Sequence, residues 1–141
     1  MAHQYSGECS CGHVSLVITL EHELTEYSPR ACDCHFCMSR HIEYLSEPTA
    51  QLQITHTQPL QSLQQGSNQA EFLACSRCHD VVAVVYQSDT QLIGAVNACL
   101  LKDKRQLKPS VVVSPKKLST DEKSGRWASL WGSVTITASI N

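Results

Sequence analysis

At 141 residues, with 42% apolar residues, 17% charged residues and a formal net charge of −2, the chain has the length of one domain able to bury its own core. This balance excludes a disordered chain, and no apolar run approaches the ~18 residues that a membrane span requires. Charge is unevenly spread: residues 1–99 carry three Lys or Arg against ten acids, and residues 100–141 carry eight against three. In chain order, the first element is a strand over His13–Leu20, where Val14, Leu16, Ile18 and Leu20 share one face and Ser15 and Thr19 the other. A second strand, "QLQIT", repeats the alternation with Leu52 and Ile54. It opens a glutamine-rich stretch, 51–69, that reads as a polar strand face followed by a loop. The all-apolar run "VVAVVY" (81–86) suits a strand covered on both faces. "GAVNACLL" (94–101) is also strand-like and places Cys99 in the core. Ser119 with Glu122 three residues on forms a capping box, and Trp127, Leu130 and Trp131 follow at helical spacing, so a short C-terminal helix is expected, its tryptophans in the core. A last strand alternates Val134, Ile136, Ala138 and Ile140 with Thr135, Thr137 and Ser139. Many short strands and one helix predict a mostly β protein, with residues 1–141 forming a single domain.

The start, "MAHQYSGECSC", lacks a basic stretch leading into an apolar one, so no secretory signal is expected and the expected location is cytoplasmic. Thiols stay reduced there, and clustered cysteines read first as metal ligands. The basic segments "KDKR" and "PKK" are short and lack interleaved aromatics. They are expected to be solvated surface, with no nucleic acid and no membrane among the partners.

Seven of the eight cysteines fall into three clusters: Cys9-x-Cys11, Cys32-x-Cys34-x-x-Cys37 and Cys75-x-x-Cys78. In extended backbone, residues i and i+2 point the same way, so CxC offers two sulfurs to one ion. CxxC makes a tight knuckle that aims both sulfurs inward. Thiolate is a soft donor that favours zinc over magnesium or calcium. Cys9, Cys11, Cys75 and Cys78 together would close a tetrahedral site of the structural kind. Cys32, Cys34 and Cys37 supply three sulfurs, which leaves one position for water or substrate, as at a catalytic zinc. Up to two zinc ions per chain are therefore expected. Two other divisions stay open: an iron–sulfur cluster on some of these ligands, and Cys99 completing a second closed site. Among the histidines, His35 lies inside the triple and His41 just after it. Proximity alone nominates both to move a proton or to act as a further ligand.

The segments "GECSCGHV", "CDCHFC" and "FLACSRCHDVVAVVY", in this order, resemble the glutathione-dependent formaldehyde-activating enzyme family, whose domain centromere protein V shares. The likeness runs over about residues 5–131. It implies an Mss4-like fold of mostly antiparallel β sheets around zinc, with Cys9, Cys11, Cys75 and Cys78 on a structural zinc and Cys32, Cys34 and Cys37 on a catalytic one. It also implies a carbon–sulfur lyase-type activity on the adduct of formaldehyde, or another aldehyde, with glutathione or another small thiol. The surroundings of the central triple depart from the family pattern. Asp33 replaces a histidine, Met38 a basic residue, and Ile42 a glycine. His79 stands where a glycine usually follows the last cysteine. Two rival expectations are a non-catalytic zinc-binding interaction module and a thiol-based redox or metal sensor.

Overall fold

A computed structural model describes residues 3–32, 37–38, 41–64, 70–88, 91–113, 122, 125 and 130–138. The described strands are β1 (His3–Glu8), β2 (Val14–Leu20), β3 (Arg30–Cys32), β4 (Glu43–Leu45), β5 (Gln51–His56), β6 (Leu60–Gln64), β7 (Glu71–Cys75), β8 (Val81–Gln87), β9 (Leu92–Asn97), β10 (Val111–Val113) and β11 (Gly132–Ala138). Short 3-10 turns at Leu24–Glu26, Ala98–Leu100 and Lys104–Gln106 link some of them. The protein is mostly β, as the alternating sequence predicts.

One hydrogen-bonded path runs β1-β2-β5-β11-β9-β4-β3-β10, and β6, β7 and β8 form a meander that joins it at β9. β9 is thus a three-way junction. One edge pairs with β8 along its length; the other pairs first with β11 and then with β4. Most pairings are antiparallel, but β5 with β11 and β3 with β10 are parallel. Parallel neighbours need long connections, and here the chain between β5 and β11 contains five other strands.

The period-two pattern of β2 explains its burial. Val14, Leu16, Ile18 and Leu20 are all within the core, and Leu52 and Ile54 of β5 lie beside them. Each such side chain contributes roughly 1.5–3 kcal/mol on leaving water. β8 is covered on both faces: Val82 and Val85 join this first cluster, while Val81 and Val84 join a second one. That second cluster also contains Cys37, Ile42, Tyr44, Ile93 and Trp131, with Phe72 packed against it. At Gly7 the β1 backbone passes the Leu100 carbonyl so closely that a Cβ would overlap its oxygen.

Two sequence expectations need correction. The apolar face of β11 is buried at Val134 but exposed at Ile136, in the part of the strand past its pairing with β9 at Gly132 and Ser133. Cys99 is not a core strand residue. β9 ends at Asn97, whose side-chain oxygen accepts the Cys99 N–H and starts a 3-10 turn, leaving Cys99 half-buried. The expected helix over 119–131 lies largely outside the described residues, Trp127 included; Trp131 is buried. Lys102, Lys104, Arg105 and Lys108 are exposed, as solvated surface requires. Among the described residues no helix is long and apolar enough to cross a membrane.

Candidate metal centre

Two turns bring the first and last cysteine pairs together, and they are built alike. The N–H of Cys9 donates to the Val14 carbonyl, and that of Cys75 to the Asp80 carbonyl, five residues on in both cases. Inside each turn a backbone N–H points at the first sulfur: Val14 N–H at Cys9 Sγ and Arg77 N–H at Cys75 Sγ, both at 3.4 Å. Each turn also holds one residue in the left-handed region, Gly12 at φ +80° and His79 at φ +65°. Glycine adopts that conformation without penalty, whereas a residue with a Cβ is strained there by about 1–2 kcal/mol. This is the backbone reason a glycine suits the position after the last cysteine. Here His79 occupies it, with Nδ1 3.2 Å from the Gln61 side chain.

A carboxylate ties the two turns together. Asp80 Oδ2 accepts both the backbone N–H (2.8 Å) and the hydroxyl of Ser10, the residue between Cys9 and Cys11. The outcome is that the Sγ atoms of Cys9, Cys11, Cys75 and Cys78 all lie within 4.8 Å of one another. Cys9 and Cys11 are 3.6 Å apart, and Cys11 and Cys75 are 3.5 Å apart. Four sulfurs at the usual zinc–sulfur distance are separated by about 3.8 Å, close to these two separations, so the donor set fits an ion of that kind. Cys9, Cys11, Cys75 and Cys78 are free thiols, as are Cys37 and Cys99. The Cys11 thiol is pushed up to about 12: the His13 backbone N–H lowers it, but desolvation and the neighbouring thiols of Cys75, Cys9 and Cys78 outweigh that pull. The four sulfurs form a donor set that could hold a metal ion.

The central triple is described in part. Cys32 ends β3, whose backbone pairs with β4 and β10. Cys34 and His35 lie outside the described residues. Cys37 is buried, with Sγ 3.1 Å from the Tyr44 hydroxyl, whereas Met38 beside it is 59% exposed. The chain then turns back: His41 N–H donates to the Met38 carbonyl and Ile42 N–H to the Cys37 carbonyl. His41 sits at the surface in the left-handed region, φ +53°. Its carbonyl accepts the Cys99 thiol at 3.4 Å, and Cys99 also lies 3.6 Å from Glu43 Oε2. Desolvation, then the Glu43 carboxylate, holds the Cys99 thiol above its ordinary value.

Sequence spacing groups the cysteines but misses Asp80, Tyr44 and Asn97. Of these only Asp80 had a detectable signal, as an acid directly after a CxxC turn. Tyr44 and Asn97 reach their places only through strand pairing, which no local pattern encodes.

Residues 4–116 match the family described as glutathione-dependent formaldehyde-activating enzyme. The match takes in all three cysteine clusters and stops short of the tryptophan-bearing segment at 126–131. A crystal structure of a Rhodobacter sphaeroides protein is similar to this chain with a TM-score of 0.59 and 24% identity, over 77% of this chain and 99% of that one. At that identity the likeness concerns the fold. No curated protein matches the chain significantly.

Proposed function

Because the chain belongs to the glutathione-dependent formaldehyde-activating enzyme family, we propose that it is a zinc-dependent enzyme of the carbon–sulfur lyase type. It would interconvert formaldehyde, or another small aldehyde, and glutathione, or another thiol, with their S-hydroxyalkyl adduct. In the forward direction the sulfur bonds to the carbonyl carbon, the carbonyl π pair moves to oxygen, and the thiol proton ends on that oxygen. The reverse reaction breaks the same carbon–sulfur bond. No oxidant or reductant enters.

In this reading Cys9, Cys11, Cys75 and Cys78 hold a structural zinc, and Cys32, Cys34 and Cys37 hold a second, catalytic one. When bound at the second set, zinc supplies a Lewis acid that favours thiolate over thiol and draws electron density from a carbonyl oxygen. The chain's own residues do the rest. The Ser10–Asp80 clamp fixes the relation of the two outer turns. The turn from Cys37 to Ile42 turns one sulfur inward while leaving Met38 and His41 at the surface, where a substrate arrives. His41 and His35 are the candidates for carrying the thiol proton to oxygen. Exposed Lys102, Lys104, Arg105 and Lys108 could meet the carboxylates of glutathione. Residues 1–141 are proposed to act as one domain.

The observation that supports this reading most is the four-sulfur cluster, formed from the outer members of a three-cluster pattern matching the family in order. A metal count on freshly purified protein, combined with exchange NMR at equilibrium, tests it. Two zinc ions and faster interconversion of adduct and free aldehyde, without a shifted ratio, are expected. Exchange rates equal to the protein-free control across several aldehydes and thiols, with two zinc ions bound, would refute it. One observation favours a second reading: Cys37 is 1% exposed and contacts a tyrosine hydroxyl, as a core cysteine would. A count of one zinc would make the protein a non-catalytic zinc-binding module.

A further inference from the structure

Tyr44 is a buried phenol on β4, only 8% exposed, and its hydroxyl lies 3.1 Å from Cys37 Sγ. Its ring packs against Phe72 with centroids 6.4 Å apart and planes tilted by 49°. Its backbone is paired on both sides, with Arg30 on β3 and with Asn97 on β9. The phenol therefore has little freedom, and the sulfur it meets is equally constrained. Ile42 N–H closes the turn on the Cys37 carbonyl at 3.2 Å. The Cys99 thiol holds the next-to-last carbonyl of that turn, at His41. Cys99 itself is fixed through its N–H by the Asn97 side chain, which is 7% exposed and donates in turn to the Val81 carbonyl at 2.8 Å. Cys37 Sγ is thus met from β4, and the turn that carries Cys37 is held at His41 by Cys99, in the 3-10 turn that follows β9.

We infer that Tyr44 is a positioning residue for the central cysteine set, orienting Cys37 Sγ through its phenolic hydroxyl. The inference rests on the proposed reading of Cys37 as a ligand. A ligating thiolate has no proton, so in that state the phenol must be the donor and the sulfur the acceptor. A hydrogen bond of this kind fixes which lone pair remains for the metal and withdraws charge from the sulfur. Space filling and backbone pairing at this position are kept by phenylalanine.

The test is Tyr44→Phe in the full chain, with cobalt(II) as the probe metal. Competition titration reads the affinity of each site, and the sulfur-to-cobalt charge-transfer band reads the electron density on sulfur. The expected result is an affinity at the second site lowered about 10-fold or more, a shifted charge-transfer band, and an unchanged first site. Phe72→Leu disturbs the same ring packing but keeps the hydroxyl, and it should leave second-site affinity and spectrum unchanged. Two metals bound with equal second-site affinity in Tyr44→Phe and wild type would overturn the assignment while leaving the zinc reading intact. So would an equal loss in Phe72→Leu, which would trace the effect to packing. A wild-type count of one cobalt would overturn the second site and this role for Tyr44 together.

Discussion

Changing Cys75 and Cys78 together to serine removes the whole second knuckle and leaves Cys9 and Cys11 without partners across the turn. The consequence follows from chain topology. Cys11 and Cys75 are 64 positions apart, so a metal held by both turns closes a long loop in the unfolded chain. Chain-entropy arithmetic for a link of that span gives about 4 kcal/mol, a large share of the roughly 5–15 kcal/mol that holds a domain folded. At about 2–4 °C per kcal/mol for a chain of this size, the melting temperature should fall by roughly 8–16 °C. Cys34→Ser interrupts only a link among residues within six positions of one another, and its melting temperature should shift by less than about 4 °C. Calorimetry with and without a strong chelator provides the assay. The chelator should lower the wild-type transition toward that of the double variant, and should not move the variant further. Equal losses from the double variant and from Cys34→Ser, or a wild-type transition indifferent to chelation, would refute a structural site that joins the two outer turns.

Asp80→Ala removes the acceptor for both Ser10 donors; a stability loss of about 1–3 kcal/mol and faster stripping of metal by a chromogenic chelator are expected. Gly12→Ala should cost about 1–2 kcal/mol in chemical unfolding because φ is +80° there, whereas His79→Gly should be neutral or stabilising. Burial, then its hydrogen bond to Glu47, pushes the Tyr27 phenol up to about 12 from 10.0. The folded state thus holds this proton more tightly, so the contribution is complete below about pH 10 and disappears between pH 10 and 12. Tyr27→Phe should flatten that part of the stability–pH profile. If basic side chains meet the carboxylates of glutathione, its affinity should fall with added salt in calorimetric titration; an affinity indifferent to salt would return them to plain surface.

Period-two patterning made β2 and β5 legible and a continuous apolar run made β8 legible, since each buries its apolar residues in the core. The same logic overreached at Ile136, where alternation is present but the side chain is 37% exposed. Strand order and the two parallel pairings were hidden, because pairing depends on which distant segment completes an edge. The outer cysteine cluster was legible from CxC and CxxC spacing, which encodes where sulfurs point. What supports that cluster was not. The Asp80 clamp, the Tyr44 contact with Cys37 and the Asn97–Cys99–His41 linkage all join residues brought together only by the finished sheet. His79 shows the converse: a departure from glycine visible in the sequence gained meaning only once its left-handed backbone was seen.

The insertion of β11 between β5 and β9 bears on how the molecule is assembled. β5 emerges from the ribosome long before its parallel neighbour, and β9 likewise waits for the strand that fills its second edge. Until residues 132–138 arrive, both strands present unpaired amides and carbonyls, the feature that invites pairing with other chains. Contacts of such wide sequence separation also form slowly, since chain closure must precede any gain from them. Completion of the sheet should therefore wait for residues 132–138, and an interrupted chain lacking them should be prone to aggregate rather than to rest as a smaller stable unit.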